Sequence, residues 1–571
     1  MPIKVIPLSF APNQRGPIIT SSSAPTKDAR MVRCFHSVFA NPGAQNSEQF
    51  VEKIPGWAAF STPSAGNKGT AIHFTHKGSL LLTAFGDPAT ANAASTIYSD
   101  TTSIGATSGA VGRFQECFIS SERYVTFGSS DGTGWFLAES APTTTAYTAD
   151  GNNSTTITDI KISGANNTAG LYPGQLLTAG ANIVAGSRIV SVNSTAFTAV
   201  LDTATTGGAF NDLAITKTPI SKIIDADFPS LSGDLVEMDG FIFCAGIDSN
   251  AKPVIAQSAI NSPSAWSADD RLTPAFATDR PVGVAKYNGM IVYFSQNSVQ
   301  FFANAGNPVG SVLRQNTQAS VYGVGAVGSN TFGYAPIVNA GNTVYWLGTA
   351  NGVVSGVYRL NGYMPENIAN DAVTRALSAV IAPIHPFVTL AFDSFNMFGK
   401  QFIYVATGDI GYLYSIEDNE WFEAGFFAGG MKIGGGWGST ANPQLYGVRM
   451  TTTGGKVYEI DKTNLTYQDD SASYTMTIQT PPQVFNNGKA FIIKSIELVA
   501  DTQASGSTGI AVSGDDYATF TTARNFDNTQ TRKKLFRFGR FRNHAIFKLT
   551  HSDNTAWRGQ VLLVDWEPCT T

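Results

Sequence analysis

The sequence predicts an all-β fold: a β-propeller interrupted by an inserted small β domain and followed by a C-terminal β-sandwich-like domain. Three observations predict it. Short runs of Val, Ile, Phe and Tyr recur along most of the 571 residues, and each stops at Asp-Gly, Asn-Gly, Gly-Asn or Ser-Pro, dipeptides that supply the backbone angles of tight turns. The chain has 56 Gly and 37 Phe but only 14 % charged residues, which suits turn-dense strands whose polar faces carry hydroxyls and amides. The strand clusters are also spaced compatibly with propeller blades of about 40–45 residues, although they do not align as true repeats.

Taken in order, residues 1–56 read as an N-terminal arm ending in the first propeller strand, rich in Pro, Ser and Thr. Residues 57–140 form the first part of the propeller, with strand-like AIHFTH, SLLLTAFG, GRFQECFIS, ERYVTFGSS and GWFLAES. Composition changes at Ala141: residues 141–218 hold few aromatics and almost no charge. A polar loop of that length is rare in a folded domain, so the stretch reads as a compact insertion. Its strands are predicted at Gln175–Thr178, Arg188–Asn193 and Ala196–Leu201. Residues 219–468 resume the propeller. Within them PENIANDAVTRALSAVI is the one convincing helix, with Pro365 near its start, Asn370-Asp371 as a possible cap, and Val373, Leu377 and Ile381 at helical spacing. Residues 469–571 form the C-terminal β domain, and period-two alternation in Ile492–Leu498 and Ala545–Leu549 predicts strands with one buried and one wet face.

The net charge of −5 argues against a general nucleic-acid binder, which carries a basic excess. Cys34, Cys117, Cys244 and Cys569 are too dispersed for a zinc site or a disulfide framework, and the first three read as small buried apolar residues of a chain folded in a reducing cytoplasm. The N-terminus, with Pro2, Pro7 and Pro12, lacks the apolar run of a signal peptide, and no window reaches the length of a membrane span.

Motifs for chemistry are sparse. SSDGTGWF (129–136) and SGDDYATF (513–520) loosely match the Asp-box hairpin of sialidase-like propellers, but such boxes are structural turns. Glu417, Asp418, Glu420 and Glu423 crowd one hairpin and read as a solvated turn, short of the set a glycosidase needs. His36 and His73 read as satisfied polar groups on strands, and His73 with His76 lacks further metal ligands. No phosphate loop of the Gly-Lys-Ser/Thr type is present; Gly429-Gly430 and Gly434–Gly436 fit strand corners. No catalytic, cofactor-binding or metal residue is assigned. The alternative to a structural role is a propeller-type glycan-binding or glycoside-hydrolysing protein.

One charged span stands out. Arg532, Lys533, Lys534, Arg537, Arg540, Arg542 and Lys548 interleave with Phe536, Phe538, Phe541 and Phe547. They read as one strand with phenylalanines inward and basic groups outward: either an edge strand protected by charge, or a dock for an acidic neighbour or DNA phosphate.

The order of several phrases resembles a known family, the tail-hub or nozzle proteins of short-tailed bacteriophages, also called packaged-DNA stabilisation proteins. ARMVRC (29–34) and EKIPGWAAF (52–60) are similar to its opening arginine–cysteine and Pro-Gly phrases. IIDADF, DGFIFCAG and SAINSPSAW resemble its central series. WLGTANGVVSGVYRLNGYMPENIANDAVTRAL and GYLYSIEDNEWFEAG resemble its Trp-Leu-Gly signature, helix and propeller closure, and VSGDDYATF with FRFGRFRNHAIFKL its C-terminal domain. The sequence departs from the family at Gly399-Lys400, where Gly-His is usual, and at Ala369-Asn370, where Ser-Thr is usual. The resemblance implies a non-enzymatic virion protein without cofactors, synthesised in the host cytoplasm and not inserted in a membrane. It implies a homo-hexameric ring below the portal-adaptor ring, with a channel for double-stranded DNA that is not read by sequence, and attachment sites for tail fibres or tailspikes. The channel face is expected to be electrostatically mild or acidic, because each phosphate contact strengthens retention.

Overall fold

The computed structural model describes residues 2–10, 29–39, 48–75, 80–87, 93–140, 145–179, 182–274, 279–329, 332–385, 389–408, 410–427, 430–435, 444–450 and 454–569. His76, Gly429, Gly436 and the expected start of the insertion at Ala141 lie outside them.

Seven successive antiparallel sheets form a propeller. Blade 1 comprises Lys68–Phe74, Leu81–Gly86, Ser95–Ser99 and Thr102–Ala106. Blade 2 comprises Val111–Ile119, Glu122–Ser129, Gly134–Ala138 and the last residues of Ala209–Lys222. Blade 3 is built on Val236–Met238, Phe241–Ile247, Pro253–Ser258 and Trp266–Leu272, and blade 4 on Pro281–Tyr287, Met290–Ser295, Ser298–Asn304 and Leu313–Tyr322. Blade 5 uses Ile337–Ala340, Thr343–Ala350, Val353–Asn361 and Met364–Asn367; blade 6 uses Leu390–Met397, Lys400–Thr407, Ile410–Ser415 and Glu420–Glu423. Blade 7 takes Met431–Gly435, Gln444–Arg449 and Val457–Asp461 from late in the chain and Ala58–Ser61 from its beginning. The leading strand of each blade touches that of the next, and Met431–Gly435 returns to Lys68–Phe74. The first and last blades therefore close the ring through a strand borrowed from the other end of the chain, which leaves no open sheet edge at the seam. Gly434 belongs to this seam: a Cβ there would lie 2.8 Å from the Ile72 carbonyl oxygen of blade 1. It serves close inter-blade approach and not a strand corner.

The insertion occupies the connection between the third and fourth strands of blade 2. It has its own core, with Tyr147, Ile157, Ile160, Leu177, Ile189 and Ile215 among its buried residues. Strands form at Gln175–Ala179, Ile189–Asn193 and Thr198–Leu201, within a residue or two of the expected ones. The fourteen-residue strand Ala209–Lys222 joins the two bodies. Its beginning pairs with Ala146–Asn152, while Ile220 to Lys222 pair with Leu137 to Trp135 of blade 2.

The C-terminal unit is a two-sheet sandwich. One sheet contains Phe491–Ala500, Lys533–Phe541 and Arg558–Pro568, the other Met476–Gln479, Ser507–Ser513, Arg524–Asp527 and His544–His551. Ile493, Ile496, Leu562 and Val564 of the first face Met476, Ile478, Ile510 and Leu549 of the second in one apolar core. The described residues of the expected arm, 2–10, 29–39 and 48–56, are not an arm. Ile3–Pro7, Cys34–Phe39 and Glu48–Lys53 extend the first sheet and Arg30–Val32 joins the second, so the N-terminus completes the sandwich before it enters the propeller. Arg30–Val32 also pairs with Glu420–Glu423, which makes blade 6 and the second sandwich sheet continuous.

Two further expectations need correction. The helix, α1, spans Asp371–Val380; Asn370 caps it by accepting from the Val373 amide at 3.0 Å, and Val373 and Leu377 are buried. Pro365 lies in the preceding strand of blade 5 and not at the helix start. Alternation in the C-terminal strands is broken: a bulge between Ile493 and Ser495 shifts the register, and Ala545, Ile546 and Phe547 are all buried because layers cover both sides of their strand. Cys34, Cys117 and Cys244 are buried free thiols, as expected.

Candidate functional site

At the hub of the propeller, where leading strands converge, the structure places a buried ionic cluster that the sequence did not single out. Arg113 enters from the first strand of blade 2. Its Nη1 donates to the Asp234 carboxylate at 3.0 Å and to the carbonyls of Ala335 (3.0 Å) and Ile337 (2.5 Å). Its Nη2 donates to the Phe392 carbonyl and lies 3.8 Å from Asp393. These partners belong to blades 3, 5 and 6, so one guanidinium ties four blades together. Burial opposes its charge, but Asp234 and then Asp393 outweigh that and raise its hold on the proton. Arginine suits the position because its planar fork offers five donors.

Lys432, from the first strand of blade 7, completes the cluster. Its Nζ sits 4.0 Å from the centre of the Tyr334 ring and has no hydrogen-bond partner. Burial pushes its pKa down to about 7, with Arg113 adding to the depression and Asp393 and Asp234 opposing it. The only sequence signal for these groups was a lone cation within an apolar strand: GRFQECF for Arg113 and MKIG for Lys432. Chemically the cluster is closed. Its carboxylates are engaged, Asp234 by Arg113 and Asp393 by the Ile433 amide, and Arg113 crosses the hub of the single propeller from blade 2 to blades 5 and 6.

A second cluster locks the propeller to the sandwich, and it is built from the phrases at residues 29–34 and 52–60. Arg33 donates to Asp469 at 2.7 Å and lies 3.7 Å from the Tyr474 ring centre and 4.7 Å from that of Phe426. Lys53 donates to the Asp553 carbonyl at 2.7 Å and approaches His551 Nδ1 at 3.3 Å. Burial, then Lys53, pushes His551 down to about 4. Arg30 forms a two-pronged pair with Glu423. Gly56 has no room for a side chain, since a Cβ would lie 2.1 Å from the Gln468 carbonyl oxygen.

The basic span does not form one strand. Lys533–Phe541 and His544–His551 lie in opposite sheets of the sandwich. Lys533 is buried and donates to the carbonyls of Ala500 and Gln530. Arg532 pairs through two nitrogens with Glu497 at 2.8 and 2.7 Å. Lys534 lies over the Phe536 ring and Lys548 over that of Phe520. Arg537, Arg540 and Arg542 are exposed. Phe541 and Phe547 point inward as expected, but Phe536 is 58 % exposed: pairing opposite Ser495 sets it on the outer face.

The remaining candidates resolve as structure. In the 129–136 hairpin Asp131 accepts from the Ser129 hydroxyl at 2.6 Å and the Thr133 hydroxyl at 2.8 Å, while the Trp135 indole donates to Ser129 at 3.0 Å. That network fixes a buried tryptophan and is no reaction centre. In the second box Asp515 accepts from Ser513 and from the Thr519 amide. The acidic hairpin is not merely solvated: Asp418 pairs with Lys400 at 2.6 Å, Glu420 with His36 at 2.9 Å, Glu423 with Arg30, and Glu417 accepts from the Gln401 amide. His73 pairs with Glu116 at 2.8 Å. Asp150, Asp159 and Asp212 bring oxygens within 4.8 Å of one another, but Lys161 Nζ lies 2.5 Å from Asp159 and 3.1 Å from Asp212 and already supplies the countercharge. No described helix is long and apolar enough to cross a membrane.

Among solved structures the chain is similar to an exo-β-1,3-galactanase of Phanerochaete chrysosporium (11 % identity, 90 % of this chain and 100 % of that one, TM-score 0.24). It is also similar to the dihydro-heme d1 dehydrogenase NirN (9 %, 86 % and 78 %, TM-score 0.32) and to Trypanosoma rangeli sialidase (8 %, 94 % and 94 %, TM-score 0.26). At these scores the likenesses carry no argument about activity. No curated protein matches the chain. The family model described as phage stabilisation, Bacteriophage P22 Gp10, beta-propeller, matches residues 179–420, from the insertion to the closing strand of blade 6. Over that span the chain is similar to the Bacteriophage P22 Gp10 β-propeller family, a likeness that supports a phage structural protein.

Proposed function

We propose that the protein is the tail nozzle or hub of a short-tailed phage: a homo-hexameric ring below the portal-adaptor ring that retains packaged DNA, releases it at infection and carries tail fibres or tailspikes. The observation that supports this reading best is the family match over residues 179–420. The sealed hub is consistent with it. Arg113 fills the centre of the propeller, so a duplex has no path through one subunit, and a channel has to run between subunits around a ring axis. The same closure weighs against the glycan-hydrolysing alternative, because Asp234 and Asp393 are held by a cation and not presented to a substrate. The face toward the DNA is proposed to be mild or acidic, in keeping with the net charge of −5, since DNA has to slide and each lysine or arginine contact would hold it.

Negative-stain imaging and mass measurement of the purified protein test the reading. A closed six-fold ring with an open lumen is expected. A stable monomer at every concentration, or release of reducing sugar from a glycan, would replace it with the alternative.

A further inference from the structure

Two exposed aromatic patches of opposite charge remain unexplained by the fold. The first is on the outer face of the sandwich. Ile492, Ile493, Lys494, Phe536, Arg537 and Gly539 line a largely apolar groove of about 660 Å³. Arg540 follows on the same strand, opposite Ile492, and Arg542 follows in the turn. Arg537, Arg540 and Arg542 form no ion pair among the described residues. The strand edge itself is not available for pairing with another strand, because Arg524 donates to the carbonyls of Phe536 and Arg537. What this face offers is a groove with a cationic rim.

The second patch lies where blade 7 meets blade 1. Phe60, in the closing strand, is 45 % exposed and stands edge-on to Tyr446 at 5.2 Å, and Phe74 stacks on the same tyrosine at 5.7 Å. Glu459 is the cross-strand neighbour of Tyr446 and of Ala58. Its Oε2 is buried with no hydrogen-bond partner, and burial, then Asp461, raises its pKa above the usual carboxylate range. Asp461 and Asp100 bring further negative charge to the same tyrosine. A half-buried carboxylate without a cation among the described residues, beside a projecting phenylalanine, is a site that a partner can complete.

We propose that these two patches are the two halves of one interface between copies of this chain: Phe60 of one subunit enters the groove at Ile492 and Phe536 of the next, and Arg540 and Arg542 face Glu459 and Asp461. The contact joins different surfaces of identical chains, so it is heterologous and generates a ring when the rotation closes. An aromatic anchor in an apolar pocket with charges at the rim is the usual anatomy of an interface hot spot, and the opposite charges set register and orientation. The inference rests on the ring proposed above, and names the surfaces that make it.

The test uses the full chain and two variants. Arg540→Glu with Arg542→Glu reverses the groove side; Glu459→Lys with Asp461→Asn, which keeps the turn that Asp461 accepts in, reverses the other. Circular dichroism and the melting temperature establish that each variant is folded. Each variant alone is expected to need at least about ten-fold more protein to assemble than the natural chain. An equimolar mixture is expected to restore rings, because every contact in an alternating ring then pairs opposite charges. A ring-forming natural chain whose single-side variants also assemble normally overturns the interface and leaves the ring reading standing. So does a mixture that stays dissociated. Rings that persist in the arginine variant while its binding of duplex DNA falls would assign the groove face to phosphate instead. A natural chain that forms no ring overturns both.

Discussion

Arg113 and Asp234 lie 121 residues apart in the chain and 3.0 Å apart in the hub, and their contact pins the blade 2 leading strand to the entry of blade 3. The guanidinium also bonds carbonyls of blades 5 and 6. Neighbouring blades are separate sheets joined by side-chain packing and single hydrogen bonds such as Thr349 to the Gln296 carbonyl, so this one group is a cross-brace for half of the propeller.

Arg113→Ala should therefore be strongly destabilising. It leaves Asp234 and Asp393 buried with Lys432 as the remaining nearby cation and several carbonyls unsatisfied, a loss of about 3–5 kcal/mol. Denaturant titration should show a large fall in midpoint with the slope preserved. A change below about 1 kcal/mol would mean that water or a repacked side chain replaces the guanidinium.

Lys432→Met should behave oppositely. The lysine is buried with no hydrogen-bond acceptor, and a methionine of similar shape removes its desolvation cost. Its folded pKa of about 7 lies below the unfolded value, so keeping the proton in the folded state costs stability at low pH, and that cost disappears as pH rises from about 7 to about 10. The natural chain should gain stability over that window. In the Met variant this gain should be smaller, with only the part from Lys53 and Lys217 remaining. An identical pH profile for both proteins, measured by thermal melts, would contradict the assignment.

Arg33→Leu should loosen the sandwich from the propeller. It removes the Asp469 pair and the cation stacked on Tyr474, at a joint where one apolar core runs from blade 6 into the sandwich. A loss of about 3–5 kcal/mol is expected. Calorimetry should then show two separated transitions in place of one.

Replacing residues 141–218 by a short Gly-Ser link should leave the remainder folded. Pro219 to Lys222 stay behind, and Ile220 to Lys222 complete blade 2 against Leu137 to Trp135. The insertion takes its own core with it. What the remainder loses is the edge-on packing of Tyr172 on Tyr124 and Phe136, the Arg188 cation over Trp135 and the pairing of Gln175 and Gly174 with Ser221 and Lys222, about 2–4 kcal/mol together. Cooperative unfolding of the deletion protein within about that margin is the expected result; aggregation on expression would show that the long strand Ala209–Lys222 cannot be cut.

Asp131→Ala tests the hairpin at residues 129–136. Burial works against the Asp131 charge, but hydrogen bonds from Ser108, Ser129 and Thr133 outweigh it and hold the carboxyl below its usual range. A depressed carboxyl contributes stability above its unfolded pKa and loses it as pH falls through the folded one. The variant should be less stable by about 1–2 kcal/mol at neutral pH, and the difference should shrink in acid, below about pH 4.

Local information in the sequence determined the strands, the turns between them, the α1 cap at Asn370 and the break in composition at the insertion. Each of these depends on neighbours within a few residues: a turn dipeptide, an apolar alternation, a capping side chain. The basic span Arg532–Lys548 was legible as a cluster for the same reason, but not its division between two sheets, nor that Lys533 would be buried and Phe536 exposed, because a bulge at Ile493–Ser495 in a different strand sets those directions. Tertiary structure alone decided the rest. The membership of the described N-terminal strands in the C-terminal sandwich, the closure of blade 7 by Ala58–Ser61, and the meeting of Arg113 with Asp234, Asp393 and Lys432 all join residues more than a hundred positions apart. No periodicity records such pairings, because strand partners and buried countercharges are chosen by where the ring closes, and closure is a property of the whole chain.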